Sequence, residues 1–490
     1  MYLCQWDKRV KLSRVFALFI SILVISLISN SSCNNNGGGT SLGPPFKNPV
    51  QISSVNGVLD LTFDVDVFPG EVDGQEFMSA QYNGMFAPPT LRVDPGDIIR
   101  LDVNNFLEAM TNVHYHGMNV SPLSPSDDIF IMIPQNGSFQ YEVQVPDDHP
   151  EGMYYYHAHL FGITTFQIMS GLSGGLIVNG VLDPFPQLEG ITEQIMYLKD
   201  IQLIDGMVPS EADIDPSAPT NFTVNGQTNP VITMRPGETQ FWQLANIGAN
   251  LYYDLVLDGH TFFQIERDGN RGTRTIERTE ILMPTASRVG VLVQANRRGT
   301  FRLRAREFNT GPAGDMYGGA TLLTVKVEGE PVQNPITLPI PGNEFPVVEN
   351  LCDTPPDNRR TIVFSESPDG NTFFINDRQF DPERVDTMVT IGGIEEWTIQ
   401  NISEELHVFH IHQTDFQVCE INGVKQPFNG WQDTVNVPYM GQDPDVEGPG
   451  EVKIAINFTN PIIEGKFVYH CHIGEHEDNG MMAVIEAVLP

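Results

Sequence analysis

Apolar residues in this chain come in short runs broken by tight turns, with no long amphipathic helical stretch. Tyr82-Asn83-Gly84 precedes Leu91-Arg92-Val93, then Asp94-Pro95-Gly96-Asp97, then Ile99–Val103 and Asn105. Asn-Gly and Pro-Gly turns between short apolar runs predict strand–turn–strand units. The series returns as Val224-Asn225-Gly226, Ile232–Met234, Arg235-Pro236-Gly237-Glu238, Phe241–Leu244 and Asn246. It returns again as Ile375-Asn376, Val389–Ile391, Gly392-Gly393, Trp397–Ile399 and Asn401. The units start about 140–150 residues apart, room for one Greek-key β-sandwich each. The expected fold is therefore all-β, with three sandwich domains in one chain.

The boundaries are placed at 48–182, 190–330 and 361–490, with a Pro-rich linker over 331–360 that includes Pro331, Pro335, Pro339, Pro341, Pro346, Pro355 and Pro356. Ahead of them, residues 1–33 read as an export signal and 34–47 as a flexible tether. Lys8, Arg9, Lys11 and Arg14 form a basic head before the apolar run Val15–Ser29. That run is shorter than the roughly 20 residues of a membrane span and suits a signal core. Asn30-Ser31-Ser32-Cys33, followed by Asn34–Asn36 and Gly37–Gly39, resembles a bacterial lipoprotein signal, although Asn30 stands where an aliphatic residue is usual. The expectation is an exported protein, periplasmic or at the cell surface, with Cys33 the candidate for lipidation and an uncleaved anchor the alternative. Of five cysteines, Cys4 and Cys33 fall in the signal, and a Cys352–Cys419 bridge is left open.

Charge narrows the partners. With 27 Lys+Arg against 62 Asp+Glu, the formal net charge is −35, a surface that repels nucleic acid and anionic lipid and attracts cations.

The chemistry lies in the histidines. Twelve are present, and ten fall into four clusters. His114 and His116 lie nine and eleven residues after Asn105, and His410 and His412 keep those offsets from Asn401. The same offsets from Asn246 fall on Leu255 and Leu257. His157 and His159 lie five and seven residues after Gly152, and His470 and His472 keep those offsets from Gly465. Counted from Gly299, the middle unit has Arg304 and Arg306. The outer units thus supply four histidines each at equivalent places and the middle unit none, which suggests a spacer role for it. Residues two apart on a strand share a face, so each H-x-H is a two-pronged imidazole clamp. Eight imidazoles imply several metal ions without naming the metal. His149 and His260 stand outside this pattern and read as ordinary structural histidines.

Cys471, between His470 and His472, points to the opposite strand face. His407, an odd offset from His410, can reach that same side, and His476 and Met481 follow. Two His, a thiolate and a weak thioether make a blue-copper site, whereas zinc gains nothing from such a set. Thr111 and Ala158 occupy the corresponding places in the first unit, which cannot build a second such centre.

On His114-Tyr-His-Gly117, Tyr156-His-Ala-His159, His407-Val-Phe-His-Ile-His412 and His470-Cys-His-Ile-Gly-Glu-His476 running on to Met481, the chain resembles the three-domain multicopper oxidases over about Gln51 to Leu489. The resemblance implies cupredoxin-like domains and four copper ions. It implies a type 1 copper on His407, Cys471, His476 and Met481, and a type 2 copper on His114 and His410. The type 3 pair would use His116, His157, His159, His412, His470 and His472. It also implies four-electron reduction of dioxygen to water, with Glu477 at the place of a proton-relay glutamate. Asp127 is the candidate for a second acid, with Asp128 competing.

Substrate is less legible. The 17 Met show no methionine-rich insert of the kind some cuprous oxidases carry. Glu404 and Glu405 read as solvated loop charges, with a role in holding a metal ion or an amine as the alternative. The first expectation is laccase-like oxidation of phenols or aryl amines, the second oxidation of cuprous or ferrous ion, the third a non-enzymatic copper-binding protein.

Overall fold

Each of the three repeated turn signals closes a hairpin in the same way. In the computed structural model, which describes residues 43–490 except 211, 212, 216 and 217, Asn83, Asn225 and Asn376 all have φ between 51° and 56°. The left-handed conformation that these turns require is one Asn tolerates. Their side chains act alike too: Oδ1 of Asn83, Asn225 and Asn376 accepts from the backbone N–H of Asp64, Tyr197 and Val363 at 2.7, 2.7 and 2.8 Å. Gly84 and Gly226 continue the first two turns at positive φ, and Asp377 takes that place in the third.

In the outer units the strands that follow alternate, whereas Thr239–Asn246 of the middle unit is buried throughout. Ile98–Asn105 buries Ile99, Leu101, Val103 and Asn105, and Ile394–Asn401 buries Glu395, Trp397, Ile399 and Asn401. The asparagine that ends each repeat is buried and donates to one carbonyl of the loop beyond it and one of a more distant segment: Asn105 to Ala109 and Ile133, Asn246 to Leu251 and Met283, Asn401 to Glu405 and Val437. A buried amide satisfying loop carbonyls sets the path by which the chain enters its next strand.

Three pairs of sheets result. In the first, Gln51–Ser53, Thr90–Val93, Ser173–Val178, Gly152–His157 and His114–His116 form one sheet in that order. Gln75–Tyr82, Val58–Val72, Ile98–Asn105 and Ser138–Gln144 form the other. Phe63, Tyr82, Leu101, Tyr156 and Leu176 fill the core between them. The second and third pairs contain six and five strands each, from residues 192–327 and 358–488. The arrangement repeats down to the parallel pairings: Val58–Val72 with Ile98–Asn105, Thr192–Ile201 with Thr239–Asn246, and Asn358–Glu366 with Ile394–Asn401. The described helices are short, Thr164–Ser170 and Gly474–Asp478. Asp478 ties them together, accepting from the backbone N–H of Thr164 and Thr165 at 2.9 and 2.7 Å.

Two connecting segments are packed. Phe46, at the end of the stretch read as tether, donates its N–H to Val231 O at 2.9 Å and lies against the large core shared by the second and third units. Along the Pro-rich linker, Ile340 and Phe345 are buried beside Phe185 and Leu292. The bridge left open from sequence is formed: Cys352 and Cys419 are joined, holding the linker to strand Phe416–Ile421. The basic head, the apolar run, Cys33 and the tether up to residue 42 lie outside the described residues. No helix among the described residues is long and apolar enough to cross a membrane.

Candidate metal centres

The two H-x-H pairs of each outer unit lie on adjacent antiparallel strands. His114 pairs with His157 in one, and His410 pairs with His470 in the other, on strands His407–Ile411 and Gly465–Cys471. The outer units then meet ring against ring. His114 stacks on His412 and His116 on His410, both at 3.9 Å between centroids, while His159 and His470 lie 4.9 Å apart. All eight rings are buried.

Eight buried imidazoles would be costly without a purpose, and their hydrogen bonding points to one. The backbone takes one nitrogen of several rings: Nδ1 of His157, His410 and His470 donates to the carbonyls of Ala158, Asp433 and Cys471 at 2.9, 2.8 and 2.9 Å. Such bonds fix the tautomer and leave the other nitrogen as a donor of electrons. Nε2 of His114, His157 and His410, Nδ1 of His159, His412 and His472, and both nitrogens of His116 have no hydrogen-bond partner. Buried polar atoms are almost always paired, so this many in one place mark a cation site. Burial, reinforced by the neighbouring rings, pushes His116, His157, His159, His410, His412 and His472 well below the usual imidazole range. Those six rings are therefore held in the neutral form, the one that binds metal. Ligand atoms converge within 4.8 Å in overlapping sets: His114, His116 and His157; His114, His410 and His412; His159, His412 and His470; His116, His410 and Asp433.

Behind Cys471 lies a second group. Cys471 Sγ is 3.7 Å from His407 Nδ1 and 3.5 Å from His476 Nδ1, and those two nitrogens are 3.0 Å apart. Their outer nitrogens are anchored, His407 Nε2 by Ser403 Oγ at 2.8 Å and His476 Nε2 by Glu405 Oε1 at 3.1 Å. The backbone N–H of Val408 points at the sulfur, 3.4 Å away. Met481 is buried, and its carbonyl accepts from the Cys471 N–H at 3.0 Å. Burial works against a charge on His476, but Glu405 and then the Cys471 sulfur raise it well above the usual imidazole range. Soft sulfur with two imidazoles on one side, and an all-imidazole cluster on the other, is a donor set that fits copper at both places.

Both candidate acids lie beside cluster histidines. Asp127 is buried with Oδ1 at 3.0 Å from His114 Nδ1, and it accepts from the Tyr115 N–H and from Gln413 Nε2 at 3.0 and 2.6 Å. Asp128 is half-buried and accepts from the Phe130 N–H. Glu477 is buried between His159 Nδ1 and His470 Nδ1, at 3.3 and 3.2 Å, and neither carboxylate oxygen has a hydrogen-bond partner. Glu405 corrects the sequence reading: it is no solvated loop charge but the buried partner of His476, whereas Glu404 is exposed. His149 and His260 are structural, their Nδ1 atoms donating to the carbonyls of Pro150 and Asp258. Leu255 and Leu257 are core residues, and Arg304 and Arg306 pair with Asp258 and Asp254. Sequence reasoning missed Ser403, Asp433 and Arg288. Nothing in spacing could find the last two, because each reaches the cluster from a distant segment.

Known proteins agree with this geometry. Sequence models described as multicopper oxidase match residues 69–182, 197–330 and 353–488. A multicopper oxidase of Staphylococcus haemolyticus is 25% identical over 419 residues, covering 83% of each chain. A laccase of Bacillus stratosphericus is 24% identical over 478 residues, covering 83% of this chain and 90% of its own. The solved structure of a Campylobacter jejuni multicopper oxidase, described as a metallo-oxidase, superposes with a TM-score of 0.75 at 25% identity, over 92% of this chain and 96% of that one. With three successive family matches, three equivalent sandwiches and two donor sets suited to copper, the chain belongs to the multicopper oxidase family and is a copper-dependent oxidoreductase.

Proposed function

We propose that the protein takes electrons singly from a small reductant on the His407 side and delivers them to dioxygen, which is reduced to water at the eight-histidine cluster. Type 1 copper would be held by His407, Cys471, His476 and Met481, type 2 copper by His114 and His410, and the type 3 pair by His116, His157, His159, His412, His470 and His472. Copper so bound supplies one-electron acceptance at the first site and a store of electrons for dioxygen at the second. The observation that carries this reading is covalent continuity: Cys471 is flanked in sequence by His470 and His472, so one tripeptide joins the two donor sets. Glu477 and Asp127, both against cluster histidines, hold and hand on the protons that water formation consumes.

The reductant is an aryl amine or a phenol, oxidised near Ser403. A groove of about 480 Å³ there is lined by Ser403, Glu404, Glu366 and Asp369. Its carboxylates favour a cationic reductant over a phenolate, and the same charges support a second reading, oxidation of cuprous or ferrous ion. An oxygen electrode with the copper-loaded protein separates the readings. The first expects kcat/KM for a dimethoxyphenol or an aryl diamine to equal or exceed that for Cu(I). A strong preference for Cu(I) that Glu404→Ala abolishes favours the metal-ion oxidase, and copper binding without oxygen uptake makes the protein a carrier.

Export, with lipid attachment at Cys33, belongs to the same reading. Mass spectrometry of the native N-terminus is expected to find the mature chain starting at a modified Cys33, and an intact Met1 on cytoplasmic protein contradicts it.

A further inference from the structure

We infer that the middle sandwich, which supplies no histidine to the cluster, positions the type 2 side of the cluster through Arg288, acting on Asp433. The inference rests on the copper assignment proposed above.

Arg288 begins strand Arg288–Gln294 and is fully buried. Its guanidinium makes a two-pronged pair with Asp433, Nη1 to Oδ1 at 2.8 Å and Nη2 to Oδ2 at 2.6 Å. Two more donors are occupied: Nε donates to Met153 O at 3.2 Å, and Nη1 donates to Ala286 O at 2.9 Å. One side chain thus bonds to residues from all three sandwiches: Met153 from the first, Ala286 from its own, and Asp433 from the third.

Asp433 passes the constraint to the histidines. It precedes strand Thr434–Val437, where Thr434 pairs with His410. Its backbone carbonyl accepts from His410 Nδ1 at 2.8 Å, which leaves His410 Nε2 free toward the cluster. Its carboxylate Oδ1 lies 3.6 Å from His116 Nε2, and the His116 and His410 rings stack at 3.9 Å. The backbone makes room for the pair. Gly117, directly after His116, has φ +80°, and a Cβ there would lie 2.4 Å from Asp433 Oδ2 and 2.5 Å from Arg288 Nη2.

Stability alone does not account for such a pair. A buried ion pair rarely surpasses apolar packing of the same volume, because both charges have lost their water. What a planar fork does provide is a fixed carboxylate plane. Here that plane sets the position of Asp433, and with it the tautomer and tilt of His410. Arg288 is a positioning residue, and groups of this kind change metal affinity or activity by about 10–100-fold when altered.

The test uses the full-length, copper-loaded protein and two variants. Arg288→Lys keeps a buried cation but loses the fork. The double variant Arg288→Met with Asp433→Asn removes both members of the fork and retains the carbonyl that His410 needs, while Asp268, 3.8 Å from Arg288 Nη1, keeps Arg267 at 3.5 Å as its cation. Copper content, the type 2 electron paramagnetic resonance signal, the blue absorbance and the melting temperature are read for each. The expected result is a type 2 signal that weakens or changes its hyperfine splitting, with kcat down about 10–100-fold, KM for the reductant unchanged, and the blue band intact. A crystal structure of the copper-free double variant is expected to show the His410 ring turned. Unchanged type 2 signals in both variants overturn the inference. Parallel loss of type 2 signal, blue band and melting temperature in both overturns it as well, making Arg288 merely structural. A wild type with no type 2 signal at all fails earlier, at the copper assignment, and is told apart from either result.

Discussion

Glu477 and Glu405 are two buried carboxylates, each against a histidine, and their surroundings assign them different work. Glu477 lies 3.3 and 3.2 Å from two cluster histidines with neither oxygen hydrogen-bonded, which supports the proton-holding role proposed for it. Glu405 is bonded to His476, on the side of the ring away from Cys471, so it tunes that ring. Glu477→Gln is expected to slow dioxygen reduction by about 10²–10⁴-fold, as for a general acid, while leaving the blue absorbance unchanged. A loss under threefold in steady-state oxygen uptake would remove the role. This contrast was only partly legible in the sequence. The place of Glu477 directly after His476 singled it out, but Glu404 and Glu405 are neighbours of identical chemistry. Which of the two is buried depends on the turn after Asn401, where Ser403 and the Asn401 side chain fix the loop.

Among the elements, the histidine strands depend on the loops beneath them, and one such loop carries a titratable support. His149 accepts the Asn119 N–H at Nε2 and donates from Nδ1 to Pro150 O, joining the segment after His116 to the one before Gly152. Burial holds its pKa down to about 4, against weaker upward pulls from Pro150 and Asp148. The folded ring therefore stays neutral where the unfolded one, with a pKa of about 6.5, is charged. The unfolded state binds the extra proton, so the stability this site contributes is present above about pH 6.5 and is lost as pH falls toward 4. The full effect is about 3 kcal/mol. Urea unfolding at pH 7 and pH 4.5 is expected to show a smaller pH dependence in His149→Gln than in wild type, and equal dependences contradict the assignment. The strands themselves could be read in advance, because an Asn-led turn and a terminal Asn recur in each unit, and period-two burial in the outer two. The support from His149 could not, since a histidine outside any spacing pattern gives no sign of what it holds.

Taken as a whole molecule, the chain repeats one sandwich three times and places its chemistry between the copies. The equal offsets from Asn105 and Asn401 revealed which units carry ligands. The sequence reading nevertheless treated the middle unit as a spacer and the Pro-rich segment as a linker. Arg288 and the Cys352–Cys419 bridge give each a larger part. Both act across long sequence separations, 145 residues for Arg288 to Asp433 and 67 for the bridge, and local patterns carry no trace of such contacts. Replacing Cys352 and Cys419 together by Ser is expected to lower stability by about 2–4 kcal/mol with the blue band unchanged. Loss of the blue band in that folded variant would mean that the linker shapes the Cys471 site. The central claim, that electrons pass from the Cys471 group to the eight-histidine cluster, is tested most directly by Cys471→Ser. A hydroxyl is a hard, weak ligand for copper in place of a soft thiolate. The eight histidines on the other side are untouched, so the variant is expected to be colourless in the blue region, to retain about three of four coppers, and not to oxidise substrate. Cys471 is the free cysteine among the described residues, with no other thiol to replace it. A blue, active Cys471→Ser protein would contradict the account.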